Sequence, residues 1–296
     1  MPSPDLDASR ATNLRGLVLV SLSTITWGSG GLFVRLLPFD LWTICFWRGV
    51  FGTLFIGAYV VWRFGGQTWT VIRRMGWDGA RIAVLSTAVI VLFPAAFQHT
   101  SIANAFTVYA AAPFFTAAFA WSWLGERPAW LTVGASIVAL AGLVVMLGPS
   151  TGGPQVGDLL AFAATACGSL MTVAIRRSKD VEMVPVAALS TALSALISLP
   201  LAVHLWDLQP QHYLAAAGFG LGPMTLGMML YIMGSALIPA ALSALIGTAE
   251  APIGALWAWV GVGEVPAVTT MIGGAIVLSS VVGRIALERR ANSNAA

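Results

Sequence analysis

The chain has 296 residues, of which 58% are hydrophobic and only 9% charged, and its mean hydropathy is +0.84. A soluble domain carries roughly 25% charged residues, so the composition excludes one and fits a chain that crosses a membrane many times. The net charge of +3 comes from cations gathered between apolar runs, a distribution that argues against nucleic acid as a partner.

A bilayer core about 30 Å thick takes about 20 helical residues, and ten charge-poor runs of that kind can be counted. After a polar tail at 1–13, the spans are expected at 14–37, 40–62, 79–100, 102–123 and 129–148. The second five are expected at 156–177, 183–204, 212–234, 238–262 and 267–287, with a tail at 289–296. Connectors are too short for a soluble domain. The first run follows Arg10 and Arg15 and lacks a small-residue cleavage site before a hydrophilic chain, so it reads as a retained helix. Cys45 and Cys167 both fall inside spans, which gives neither a disulfide framework nor metal-ligand spacing; no metal and no cofactor are expected. With the N-terminus inside, thirteen of the fifteen Lys and Arg residues fall in cytoplasmic segments, the exceptions being Arg35 and Arg48. The positive-inside rule then puts both termini in the cytoplasm.

The chain repeats itself. SWLGERP near Glu126 and Pro128 is answered by GVGEVP near Glu264 and Pro266, an offset of 138 residues. YAAAP ending at Pro113 is answered by AEAP ending at Pro252, and TWGSGGLFVR ending at Arg35 by ACGSLMTVAIR ending at Arg176. Chance matches between Gly-rich and Ala-rich helices would not keep one order and nearly one offset. The halves are expected at 14–150 and 151–288, and with five spans each the second enters the membrane upside down. The fold class expected is all-α and integral to the membrane, with ten helices in two inverted five-helix repeats, the architecture of secondary transporters.

The stretches AAFQHTSIANAFTVYAAAPFFTAAFAWSWLGERP (95–128) and LYIMGSALIPAALSALIGTAEAPIGALWAWVGVGEVP (230–266) resemble the ten-helix drug/metabolite transporter superfamily of EamA type, and the similarity covers nearly the whole chain. Within it, His99 and Trp121 make the chain look closest to the YddG-type amino acid exporters. The resemblance implies export of small metabolites, foremost amino acids with aromatic or other apolar side chains, across a bacterial-type inner membrane. Many members place an acid directly before the ninth-helix proline; here Ala251 separates Glu250 from Pro252.

Glu250 is the one carboxylate deep in a span. A charge there costs about 2.5–3.5 kcal/mol on insertion scales, so it should face a cavity, a partner or a proton. It is a candidate both for substrate binding and for proton coupling; the bland alternative is a packing role beside carbonyls freed by Pro252. Trp257 shares its helical face. Arg48 is a candidate to pair with Glu250 or to meet a substrate carboxylate, or else to snorkel outward. Gln98 and His99 sit at the outer end of the third span, where a histidine serves equally well as an interface residue. Trp27, Tyr109, Trp121, Tyr231 and Trp257 are candidates for an apolar cavity wall, with Met224 and Met228 as its deformable part; each also suits core packing. Trp42, Trp62, Trp69, Trp77 and Trp206 read as interface belts. Gly28, Gly30, Pro94, Pro113 and Pro252 are candidate hinges.

An intramembrane enzyme is the rival from another class, since a GSG around Ser29 and a His99 are present. No oxyanion site, oriented base or metal motif accompanies them. Among transporters, small multidrug exporters related to this superfamily carry their acid in the first helix, which here has none, and a nucleotide-sugar carrier would want several cations near its phosphates where the interior offers only Arg48; a multidrug or a nucleobase or nucleotide-sugar transporter of the superfamily stands as the alternative. Membrane lipid and a small-molecule substrate are the expected partners, and the sequence leaves the oligomeric state open, a monomer included.

Overall fold

The computed structural model describes residues 4–100, 105, 108–147, 156–178 and 180–294, and every regular element among them is helical. Residue 101, the expected start of the fourth span at 102–104, 106 and 107, the boundary between halves at 150 and 151, and Lys179 lie outside the described residues. In chain order the helices are α1 (Pro4–Gly28), α2 (Gly30–Leu36), α3 (Leu41–Phe64), α4 (Thr68–Arg74), α5 (Gly76–His99), α6 (Ala112–Leu124) and α7 (Trp130–Leu147). The second half supplies α8 (Val156–Arg177), α9 (Met183–Ser198), α10 (Pro210–Phe219), α11 (Met228–Ser235), α12 (Ala240–Gly247), α13 (Glu250–Val262) and α14 (Val268–Asn294). Eight runs are long and apolar enough to cross a membrane, Trp130–Met146 is a shorter apolar helix, and α6 carries the fourth span to its end. The architecture is ten spans in two repeats.

Local chemistry sets the helix ends. The Asp40 carboxylate caps α3, accepting from the backbone N–H of Trp42 at 3.1 Å and of Thr43 at 3.0 Å. Gly125 and Gly263 close α6 and α13 in the left-handed region, at φ 69° and 73°. A non-glycine residue there costs about 1–2 kcal/mol, and no neighbour would meet a Cβ at either position. Gly263→Ala is therefore expected to lower the thermal midpoint in detergent by a few degrees through backbone strain alone, and an unchanged midpoint would contradict that reading. The eighth span departs from the plain helix expected of it. Between α10 and α11, Gly220–Gly227 forms a π-helical stretch around Pro223, which has no N–H to donate, and the Thr225 hydroxyl reaches back to the Gly220 carbonyl at 2.7 Å.

Packing runs between the halves and obeys a two-fold. The third span (α5) packs along the sixth (α8), and its counterpart, the eighth (α11 and the π-helical stretch), along the first (α1). The second packs on the seventh and the fifth on the tenth, pairs that the two-fold maps onto themselves. Small residues permit the approach: a Cβ on Gly49 of α3 would stand 3.0 Å from Ala195 of α9. Trp62, Trp69, Trp77 and Trp206 stand exposed at span ends, as belt residues should, while Trp42 is half-buried.

Candidate functional site

Three spans are broken in mid-course. The first breaks at Ser29, flanked by Gly28 and Gly30, where the Ser29 hydroxyl turns back to the Thr26 carbonyl at 2.6 Å. The fourth breaks at Ala110–Ala111 and the ninth at Thr248–Ala249, positions 138 residues apart, the same offset as the Gly-Glu turns. Prolines account for the last two. Pro113 and Pro252 lie in the first turns of α6 and α13, where a missing N–H costs nothing within the half-helix but leaves the carbonyl four residues back without its donor. At this offset the second half-helix of the first repeat begins with Ala112 and that of the second repeat with Glu250. The acid is thus an addition to a shared skeleton.

The two breaks meet. Tyr109, at the end of the first repeat's break, lies so close to the other that a Cβ on Gly247 would stand 3.7 Å from its hydroxyl. Its phenol is within electrostatic range of Glu250 and Tyr231. Tyr231 shares a hydrogen bond of 2.6 Å with the Thr172 hydroxyl, and its ring lies 4.8 Å from that of Trp27. Phe93 packs on Tyr109 at 5.3 Å. Glu250 is only partly buried, and its carboxylate makes no hydrogen bond or salt bridge among the described residues. An acid within range of the Tyr109 phenol, with no hydrogen-bond or ion-pair partner among the described residues, at the crossing of two broken helices can bind an ammonium group or take up a proton.

Other expected residues lie elsewhere. Met228 is buried against Ser86, its sulfur 3.9 Å from the hydroxyl, on the turn before Tyr231. Met224 packs with Phe219 and Phe51, a cluster whose Phe219 ring lies against Gly30 of the first break. Trp257 donates from its indole to the Ile25 carbonyl at 3.0 Å, fastening α13 to α1. Gln98 and His99 are exposed at the end of α5, and Trp121 is 61% exposed on α6.

Arg48 makes no salt bridge with Glu250 among the described residues. It is buried and donates to the Ile90 carbonyl at 2.8 Å, with its guanidinium 5.5 Å from the Phe219 ring. The reason is local: Pro94, four residues after Ile90, supplies no N–H, so that carbonyl needs an outside donor. Orphaning a buried acceptor costs about 1–3 kcal/mol. Arg48→Met should therefore destabilise the protein in detergent, and Pro94→Ala, which restores a donor to Ile90, should reduce that loss. Equal losses in both backgrounds would remove this account of Arg48.

Each repeat also clasps the other at the membrane surface. Arg35, at the end of α2, makes a two-pronged pair with Glu264 after α13, one arm at 2.8 Å. On the opposite face, Arg176 at the end of α8 pairs with Glu126 after α6 at 2.5 Å. In both cases an arginine from the first helix of one repeat meets the Gly-Glu turn of the other. Sequence reasoning singled out all four residues as repeat markers but did not pair them; the crossed offsets carried the signal. Thr172 and Phe93 were missed, and nothing in their local sequence marks them.

The model of the EamA-like transporter family matches residues 14–148 and again 155–285. One crystal structure shares the fold with a TM-score of 0.73 at 22% identity, covering 96% of this chain and 98% of that one. No curated protein matches the chain.

Proposed function

Because the chain belongs to the EamA-like transporter family, whose members move small substrates across membranes, we propose that it exports amino acids, those with aromatic or other apolar side chains first, as the YddG-type exporters do. The observation that carries this reading is the Glu250 carboxylate beside Tyr109 where the two broken helices meet, without a hydrogen-bond or ion-pair partner among the described residues. An amino acid presents an ammonium group to an acid and an apolar side chain to aromatic walls, and this site holds both complements in Glu250 and the Trp27, Tyr109 and Tyr231 rings. The sorting of cations supports termini in the cytoplasm of a bacterial-type inner membrane.

The breaks supply the movement. α2 and α13 start at breaks and are joined by the Arg35–Glu264 pair and by the close approach of Leu32 to Gly261, so they swing as one piece on the face away from the termini. On the face of the termini, α6 has a break, but its clasped partner α8 runs unbroken from Val156 to Arg177. One gate therefore has two hinges and the other has one. The test is uptake into liposomes of a labelled amino acid panel with a nucleobase and a cationic dye. Uptake of apolar amino acids by the wild type is expected; movement of the nucleobase or dye while no amino acid moves would overturn the substrate class.

A further inference from the structure

At the face of the termini a cavity of about 90 Å³ opens between α6, α7, α12 and α14, lined among others by Glu126, Arg127, Thr132, Pro239, Ala241 and Arg284. We propose that it holds the phosphate of an anionic phospholipid headgroup. Arg284 is only 5% exposed, and its Nε donates to the Thr132 hydroxyl at 3.0 Å, which fixes a permanently charged, multi-donor guanidinium in the wall. Arg127 adds a second charge at the mouth. The N-terminus of α12 faces the same space: Pro239 stands at its cap and makes no side-chain cap, and with the Leu242 and Ser243 N–H groups donating to the Pro239 carbonyl, the N–H groups of Ala240 and Ala241 and the positive end of the helix dipole are left for an anion. Glu126, the acid of this lining, is engaged by Arg176 at 2.5 Å.

The inverted repeat supplies an internal comparison. At the offset of 138, Glu264, Pro266 and Thr270 repeat Glu126, Pro128 and Thr132, but Val265 stands for Arg127 and Met146 for Arg284. The shared skeleton folds without these two arginines, so one end of the molecule has gained them. Lipid is the source the surroundings favour. Trp130 is 81% and Leu131 51% exposed on α7 beside the cavity, and Arg177 lies over the Trp123 ring at 5.1 Å, the marks of a headgroup boundary. Basic pockets between helices at that depth suit anionic headgroups.

Native mass spectrometry of the detergent-solubilised full chain, titrated with phosphatidylglycerol, phosphatidylcholine or inorganic phosphate, tests the assignment. Saturable binding of one phosphatidylglycerol is expected, weakened at least ten-fold in Arg284→Gln and in Arg127→Glu, with no saturable binding of the other two ligands. Because Arg284 is buried, the exposed Arg127→Glu keeps the test valid if the first variant misfolds. Equal affinity for phosphatidylcholine, or unchanged affinity in Arg127→Glu, would overturn the site. Saturation by inorganic phosphate at the concentrations that suffice for the lipid would overturn the lipid source.

Discussion

Replacing Glu250 with glutamine is expected to cut transport about ten-fold or more, equivalent to at least about 1.4 kcal/mol on the limiting barrier, while leaving the amount of folded protein near that of wild type. The separation follows from the surroundings. A carboxylate without a protein hydrogen bond among the described residues leaves no buried partner orphaned when its charge is removed, so stability has little to lose. In the proposed function, transport depends on what that carboxylate does with substrate or proton. Comparing uptake at several pH values with and without a pH gradient divides the two roles: an acid that exchanges a proton gives the wild type a gradient dependence that Glu250→Gln lacks, whereas an acid that only binds an ammonium group lowers uptake equally under both conditions. Normal transport by the variant at every pH would make Glu250 a packing residue.

Reversing one charge in the Arg176–Glu126 clasp should be nearly as damaging. Arg176 is 17% and Glu126 32% exposed, so Arg176→Glu sets two carboxylates against each other in a partly dry contact. Transport is expected to fall about ten-fold, and the exchange Arg176→Glu with Glu126→Arg to recover most of it, the pattern of a pairwise interaction in a double-mutant cycle. No recovery in the exchanged protein would mean that the two residues act separately. Arg35–Glu264 is more open, at 45% and 52%, and exposed pairs contribute less than about 1 kcal/mol; its exchange should show the same pattern with smaller effects. Its pH dependence has a definite sign. The hydrogen bond from Arg35 holds the Glu264 carboxylate below its ordinary value of 4.5. The clasp is therefore complete above that value and is lost as the pH falls through the depressed one.

The spans and the repeat could be read from sequence because both rest on long-range regularities: the charge-poor runs mark helices, and an offset of 138 links Glu126 with Glu264. Even the break at Ser29 was signalled by Gly28 and Gly30. The π-helical stretch around Pro223 was not, because a proline in an apolar run does not say whether the helix kinks or widens. Arg48 shows a different limit. Its position in a span suggested an ion pair, but its partner was decided by Pro94 on another helix, and such pairings exist only once the spans are packed. The contact of Tyr109 with the second break is of the same kind, since it depends on how two half-helices cross.

The most direct test of a site at that crossing is the accessibility of Gly247, where a new Cβ would rest in ordinary contact with the Tyr109 hydroxyl. In a protein otherwise without cysteine (Cys45→Ala, Cys167→Ala), Gly247→Cys should react with a membrane-impermeant thiol reagent applied to either side of the liposome, and substrate should slow the reaction from both. A thiol that reacts from neither side, or whose labelling substrate does not change, would contradict a transport pathway passing between the broken helices.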